Sequence, residues 1–243
     1  MNDIIIGAKG LARSYSRGSE QVHALRAVDL SIGRGEFISI VGPSGSGKST
    51  LLHLLGLLET PSAGSISLEG REMTGLKERD LVKERRGSIG FVFQQFLLLP
   101  TLTVEENIEL PLLFSRKPVS KDRIAGIMEM LELSHRARHL PHQLSGGEMQ
   151  RVSIGRALVN EPRVIMADEP TGNLDTATAD KIYSLFKRLN QGGLSLIVVT
   201  HNMELAGRAD RVIRLRDGQI LNNYNPSPGV SGAPQGTPLY TIM

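Results

Sequence analysis

The chain of 243 residues contains no cysteine. That excludes a disulfide framework, a thiolate nucleophile and any cysteine-held metal, and nothing points to an oxidising compartment. Long apolar runs are missing too. No window approaches the roughly 18 apolar residues that span a bilayer, and the start, MNDIIIGAKG, lacks the basic and apolar regions of an export leader. The expectation is a chain that is neither exported nor membrane-spanning. Charge of one sign is scarce: the net is +3. The densest basic cluster, Lys83, Arg85 and Arg86, is broken by Glu84 and reads as a solvated helix face, so no nucleic-acid footprint is expected. There is no internal repeat. From Pro226 onward, PSPGVSGAPQGTP has no apolar period and reads as a flexible tail, residues 224–243, after one folded unit over residues 1–223.

A hydrophobic content of 40% is enough for a real core. Short apolar runs at 37–41 (FISIV), 89–93 (IGFVF), 164–167 (VIMA) and 196–199 (LIVV) predict buried strands, each ending at a chemically capable residue. Helical patterns at 50–58, 121–131, 147–158 and 178–189 alternate with them. That alternation predicts an α/β fold with a mainly parallel sheet, whose ligands sit at the carboxyl ends of its strands. Alternating segments at 28–32 and 65–68 allow an additional antiparallel layer.

Residues 42–50 read GPSGSGKST and fit G-x-x-x-x-G-K-[ST] between a predicted strand and a predicted helix, the context a phosphate-binding P-loop requires. Gly42, Gly45 and Gly47 bring backbone amides against phosphate oxygens, and Pro43, Ser44, Ser46 and Thr50 complete the cradle. Lys48 would neutralise the β- and γ-phosphates of ATP, and the Ser49 hydroxyl would ligate Mg2+.

Asp168 and Glu169 follow VIMA at the mouth of a strand. Unpaired carboxylates are costly to bury, so they face a cation or solvent. The functional reading gives the metal to Asp168 and the attacking water to Glu169 as general base. The bland reading is a strand ending in solvated acids. Gln94 and His201 follow two other predicted strands, and taken singly each is more often a structural residue than a catalytic one. LSGGEMQR, residues 144–151, opens a helix. Ser145 and Glu148 fit a capping box, which leaves Gly146 and Gly147 in the first turn unexplained. Close backbone approach to an anion would explain them.

These motifs, in this order, resemble the ATP-binding cassette (ABC) ATPases. GPSGSGKST matches Walker A, Gln94 the Q-loop glutamine, LSGGE the signature, VIMADE Walker B, Asn173 to Asp175 the D-loop and His201 the switch histidine. Tyr15 matches the aromatic that stacks on adenine, a residue otherwise read as core packing. The resemblance implies a RecA-like P-loop NTPase core, an antiparallel β layer and a helical subdomain at about 94–158. It implies ATP and Mg2+ as cofactors, with Ser49, Gln94 and Asp168 on the metal and Glu169, His201 and Gln94 in catalysis. It also implies a head-to-tail homodimer in which Ser145, Gly146, Gly147, Glu148 and Asp175 of one chain complete the other chain's site. Glu148 departs from the commoner glutamine. The stretches at 85–108 and 168–175 are similar to the branch of lipoprotein-release and macrolide-export ATPases. The expectation is a peripheral ATPase on the cytoplasmic face of the inner membrane, driving a separate permease. The alternative is an ATPase of cell-division type, which acts on a membrane partner without moving solute. Phe96, Leu97, Leu98 and Leu99 are candidate permease contacts or subdomain core. Ribosome- or nucleic-acid-directed members carry two cassettes, a coiled-coil arm or a basic insertion, and no such feature is present.

Overall fold

A computed structural model describes residues 3–18, 20–115 and 120–226. Most of the expected tail, 227–243, lies outside them. In chain order the elements are β1 (Ile4–Arg17), β2 (Glu20–Gly33), β3 (Phe37–Val41), α1 (Lys48–Leu55), β4 (Ala63–Leu68) and β5 (Arg71–Glu72). Next come α2 (Glu78–Ser88), β6 (Ile89–Phe93), α3 (Val104–Ser115), α4 (Lys121–Met130) and α5 (Gly146–Leu158). The chain continues through β7 (Val164–Asp168), α6 (Thr176–Gln191), β8 (Ser195–Val199), α7 (Met203–Ala206), β9 (Arg211–Arg216) and β10 (Gln219–Tyr224).

The four apolar runs are strands β3, β6, β7 and β8. They lie in a six-stranded sheet of order β10-β9-β3-β8-β7-β6, parallel except for the β9–β10 hairpin. Both faces of these four strands are covered, which is why they are continuously apolar rather than alternating. Ile38, Ile40, Met166, Ile197 and Val199 point to one face, into a core shared with β1, β2 and α1. Phe37, Ile165, Ala167, Leu196 and Val198 point to the other, into a core shared with α3 to α6. The two-residue side-chain period thus divides each strand between two cores.

The expected antiparallel layer is a four-stranded sheet, β2-β1-β4-β5. It is more extensive than the alternation at 28–32 and 65–68 indicates, because register shifts in β1 and a positive φ at Ala27 interrupt the pattern of longer strands. Helix α1 starts at Lys48 and ends at Leu55, earlier than the 50–58 pattern. Its start falls where the glycine loop releases free N–H groups. The basic stretch at 83–86 is helical as expected, but Arg85 is not freely solvated. Its guanidinium pairs with Glu78 and donates to the Leu57 carbonyl.

Candidate functional site

Register brings the chemically capable residues together. Phe93 pairs with Asp168, Asp168 with Val199, and Ile40 with Val199, so the residues that follow these strands emerge side by side at one sheet end. The glycine loop follows β3 there, Gln94 follows β6, Glu169 follows β7, and Thr200 and His201 follow β8.

The loop's shape depends on missing side chains. A Cβ at Gly42 would lie 2.1 Å from the Leu215 carbonyl oxygen. Gly47, with φ near 99°, would place one 2.4 Å from the Ala24 oxygen. The loop is therefore pinned against the end of β9 and against β2. Pro43, Ser44 and Gly45 form its exposed rim. Ser46 differs: its side chain is buried and its N–H donates to Pro43 O, so it serves the shape of the loop. Lys48 Nζ donates to Gly42 O and Pro43 O at 3.0 Å each. An ammonium has three N–H bonds, so one stays available to an anion at the loop's mouth. Lys48, Ser49 and Thr50 form the first turn of α1, whose N–H groups have no intrahelical acceptor and carry the positive end of the helix dipole. No acidic side chain occupies that turn. This is a preformed anion cradle.

Ser49 Oγ donates to Asp168 Oδ1 at 3.2 Å. Two hard oxygen donors beside a phosphate cradle suit Mg2+, which takes one or two protein oxygens together with phosphates and water. Glu169 adopts a left-handed conformation, φ 46°, and its N–H donates to Val199 O. That bend turns its carboxylate to His201. Oε2 accepts from the His201 backbone N–H at 3.2 Å and lies 2.9 Å from Nδ1. Gln94 Nε2 donates to Asn173 Oδ1 at 3.2 Å. Among the described residues no hydrogen bond joins Gln94 to Ser49 or Asp168.

Tyr15 is half-buried, its hydroxyl donating to Glu59 at 2.6 Å while the Arg13 guanidinium lies 4.7 Å from its ring centroid. One ring face is thus covered by a cation, a contact worth about 0.5–1 kcal/mol at an exposed site. Arg13 was not legible as a site residue from sequence, because nothing local marks it. The Arg13–Glu59 ion pair that holds it is 46 residues apart in the chain.

At the start of α5, Ser145 and Glu148 form the expected capping box. Ser145 N–H and hydroxyl donate to Glu148 Oε2 at 2.8 Å each, and Glu148 N–H donates back at 3.3 Å. Arg136 Nε adds a 2.9 Å ion pair. The Ser145 backbone donor first, with the Ser145 hydroxyl and Arg136 after it, holds the Glu148 carboxyl down at about 2, against a burial cost that acts upward. The glycines have a reason other than an anion. A Cβ on Gly147 would sit 2.5 Å from the Thr178 methyl of α6, and one on Gly146 3.2 Å from Leu174. Asp175 caps α6, its carboxylate accepting from Thr178 N–H and hydroxyl. Among the described residues no hydrogen bond joins 145–148 to the loop at 42–50. Of the apolar run, Leu97 is exposed, Leu98 packs on the second core, Phe96 lies near Gly146 and Leu99 is exposed.

A pinned glycine loop, a helix start and strand-end carboxylates define a nucleotide-phosphate-binding α/β cassette. A family model described as ABC transporter matches residues 25–172, and the chain belongs to the ATP-binding cassettes of the ABC transporter family. It is 45% identical over 223 residues to the lipoprotein-releasing system ATP-binding protein LolD 2 of Caulobacter vibrioides, covering 90% of this chain and 98% of that protein. It is 48% identical over 219 residues to the macrolide export ATP-binding/permease protein MacB of Bdellovibrio bacteriovorus, covering 90% of this chain but 34% of that relative. Among solved structures, the ATP-binding cassette MJ0796, in a dimeric post-hydrolysis state bound to ADP and Pi, matches with TM-score 0.84 at 44% identity. That match covers 90% of this chain and 98% of the other; MJ0796 comes from Methanocaldococcus jannaschii. The chain is thus an ATP-binding, ATP-hydrolysing cassette of the LolD/MacB-like branch.

Proposed function

We propose that this cassette is the motor of a separate membrane permease, working as a homodimer at the cytoplasmic face of the cell membrane in lipoprotein release or export. The observation that carries this reading is a groove of about 500 Å³ beside Gln94. Leu58, Leu97 and Phe114 line it with 41%, 55% and 64% of their surfaces exposed, and Arg85, Arg86 and Arg156 stand among the lining residues. Large apolar side chains gathered in a basic-edged groove mark a protein interface, and an amphipathic helix suits such a groove. No helix of the described residues is long and apolar enough to cross a membrane itself.

In the mechanism we infer, residues 94–158 form the helical arm, and the backbone amides at 42–50 with Lys48 hold the ATP phosphates. Ser49, Asp168 and Gln94 would hold Mg2+, which supplies charge neutralisation at the β- and γ-phosphates. Glu169 takes a proton from the attacking water. The water oxygen bonds to the γ-phosphorus, the bond to the bridging oxygen breaks, and ADP leaves with that electron pair. His201 fixes the carboxylate for the transfer. Ser145 to Glu148 and Asp175 of the second copy close over the γ-phosphate, and Tyr15 stacks on adenine with the ring face that Arg13 leaves open.

Replacing Phe114 and Leu97 by Asp tests the groove. The expected outcome is loss of the chain from the detergent-extracted membrane complex, with ATP hydrolysis by the isolated chain unchanged. Retention in the complex at wild-type level would sink the groove as the coupling surface.

A further inference from the structure

We infer that Asn173 is a positioning residue for Gln94, tying its side-chain amide to the turn that joins Glu169 to α6. The inference rests on the proposed role of Gln94 at the nucleotide site. Two hydrogen bonds run in opposite directions between the pair. Gln94 Nε2 donates to Asn173 Oδ1 at 3.2 Å, and Asn173 Nδ2 donates to the Gln94 backbone oxygen at 3.1 Å. The second bond decides the first. A backbone carbonyl only accepts, so the Asn173 NH2 must face it, and the Asn173 oxygen must then face the Gln94 NH2. Gln94 Oε1 makes no hydrogen bond among the described residues. It is left as the outward acceptor, the atom a hard cation or a water would use.

The fit requires Gly172. A Cβ there would lie 2.7 Å from Gln94 Nε2 and 3.0 Å from Cδ, so the glutamine side chain lies flat against bare backbone. The turn holding Gly172 and Asn173 is anchored at both ends. Gly172 N–H donates to Glu169 O, and Leu174 N–H donates to Thr171 O. Leu174 packs over Gly146 at the start of α5, and two residues on from Asn173, Asp175 caps α6. From the other side, Arg156 of α5 donates to Phe96 O at 2.8 Å and Leu97 O at 2.6 Å. Residues 94–97 are therefore gripped at the side chain by Asn173 and along the backbone by Arg156. Both grips lead to the signature helix: Arg156 sits on it, and the Asn173 turn packs against its first residue. A shift of that helix when a second chain closes on it would reach Gln94 by two short routes, the Arg156 hydrogen bonds and the Leu174 contact with the Asn173 turn, with Asn173 setting which way the amide faces.

Asn173→Leu removes both bonds at similar volume, and Asn173→Asp keeps the acceptor but sets a carboxylate against the Gln94 carbonyl. In the full-length chain, Asn173→Leu should lower kcat about tenfold, the scale seen when a partner that orients a ligand is lost. KM for ATP should stay within about twofold, because the phosphate cradle is untouched. Hydrogen–deuterium exchange of the peptide covering 94–99 should speed up, with exchange at 42–50 unchanged. In a Gln94→Ala background the same substitution should cost nothing further in kcat, since one interaction is not lost twice. Unchanged exchange at 94–99, or an equal kcat loss with and without Gln94, would overturn the positioning role. Wild-type turnover by Gln94→Ala alone is a different failure: it would remove Gln94 from the reaction, and the exchange data would still judge the contact. Asn173→Asp should fall between wild type and Asn173→Leu in exchange, and equality with Asn173→Leu would assign the grip to the donated bond.

Discussion

The loops at 42–50 and 145–148 are both read as phosphate-contacting, yet they are built in opposite ways. The first has a backbone that side chains cannot follow: a Cβ at Gly42 would strike a carbonyl, and Lys48 spans the mouth with one N–H to spare. The second is an ordinary helix start, capped by its own serine and glutamate. Its Ser145 hydroxyl proton is already given to Glu148, and Gly147 is small because α6 lies against it. One loop is complete as folded, while the other presents a surface whose donors must be partly redirected to meet a ligand. Glycine in a motif is therefore not by itself a sign of an anion. The neighbouring helix decides.

Substitutions on each side sharpen the contrast. Glu169→Gln, on the strand-end half, should lower kcat about a thousandfold, within the range for a lost general base, with ATP affinity kept and an ATP-bound dimer accumulating on gel filtration. Hydrolysis at the wild-type rate would remove Glu169 from that role. Ser145→Arg, on the signature half, should lower kcat about a hundredfold, the scale of losing one donor to the reacting phosphate. Nucleotide affinity of the monomer, measured by fluorescence titration, should stay near wild type; an equal loss of affinity would break the separation between the two loops. Smallest is Glu148→Gln, expected to cost about 1 kcal/mol of stability at pH 7 from the weakened cap and ion pair. The Glu148 carboxyl titrates at about 2 in the fold against 4.5 ordinarily. Its lowered value means that the stabilisation is complete above 4.5 and lost as pH falls towards 2. Thermal melts of the two proteins should therefore converge across that window, and a gap constant down to pH 2 would assign the effect to packing.

Much of this was legible in the sequence for a physical reason. Strands buried on both faces carry no polar interruption, so their ends stand out, and parallel register then places Gln94, Glu169 and His201 side by side. Helix α3 was not foreseen, because Pro111 lies inside it and its apolar period is weak. The signal was nonetheless present in Thr103 and Glu106, whose hydroxyl, carboxylate and amides form a capping box like that of α5. Antiparallel β1 and β2 were recognised only in part because bulges break their alternation. The Gln94–Asn173 pair was beyond reach, since 79 residues separate the partners and neither is unusual locally.

The order of the large sheet has a mechanical consequence. Among the described residues, strands β3, β8 and β7 each have two neighbours, whereas β6 stands at an edge with only β7 beside it. Sliding β6 breaks one ladder of hydrogen bonds; sliding β3 breaks two. In the proposed coupling, a push at the groove would meet an edge strand first, and Gln94 directly follows that strand. The strand beneath the glycine loop, held by a neighbour on each side, would resist such sliding. Resistance to sliding thus rises from the β6 rim to the sheet centre, and under the proposed coupling a displacement at the groove would reach the nucleotide as movement of one side chain against a stiffer cradle.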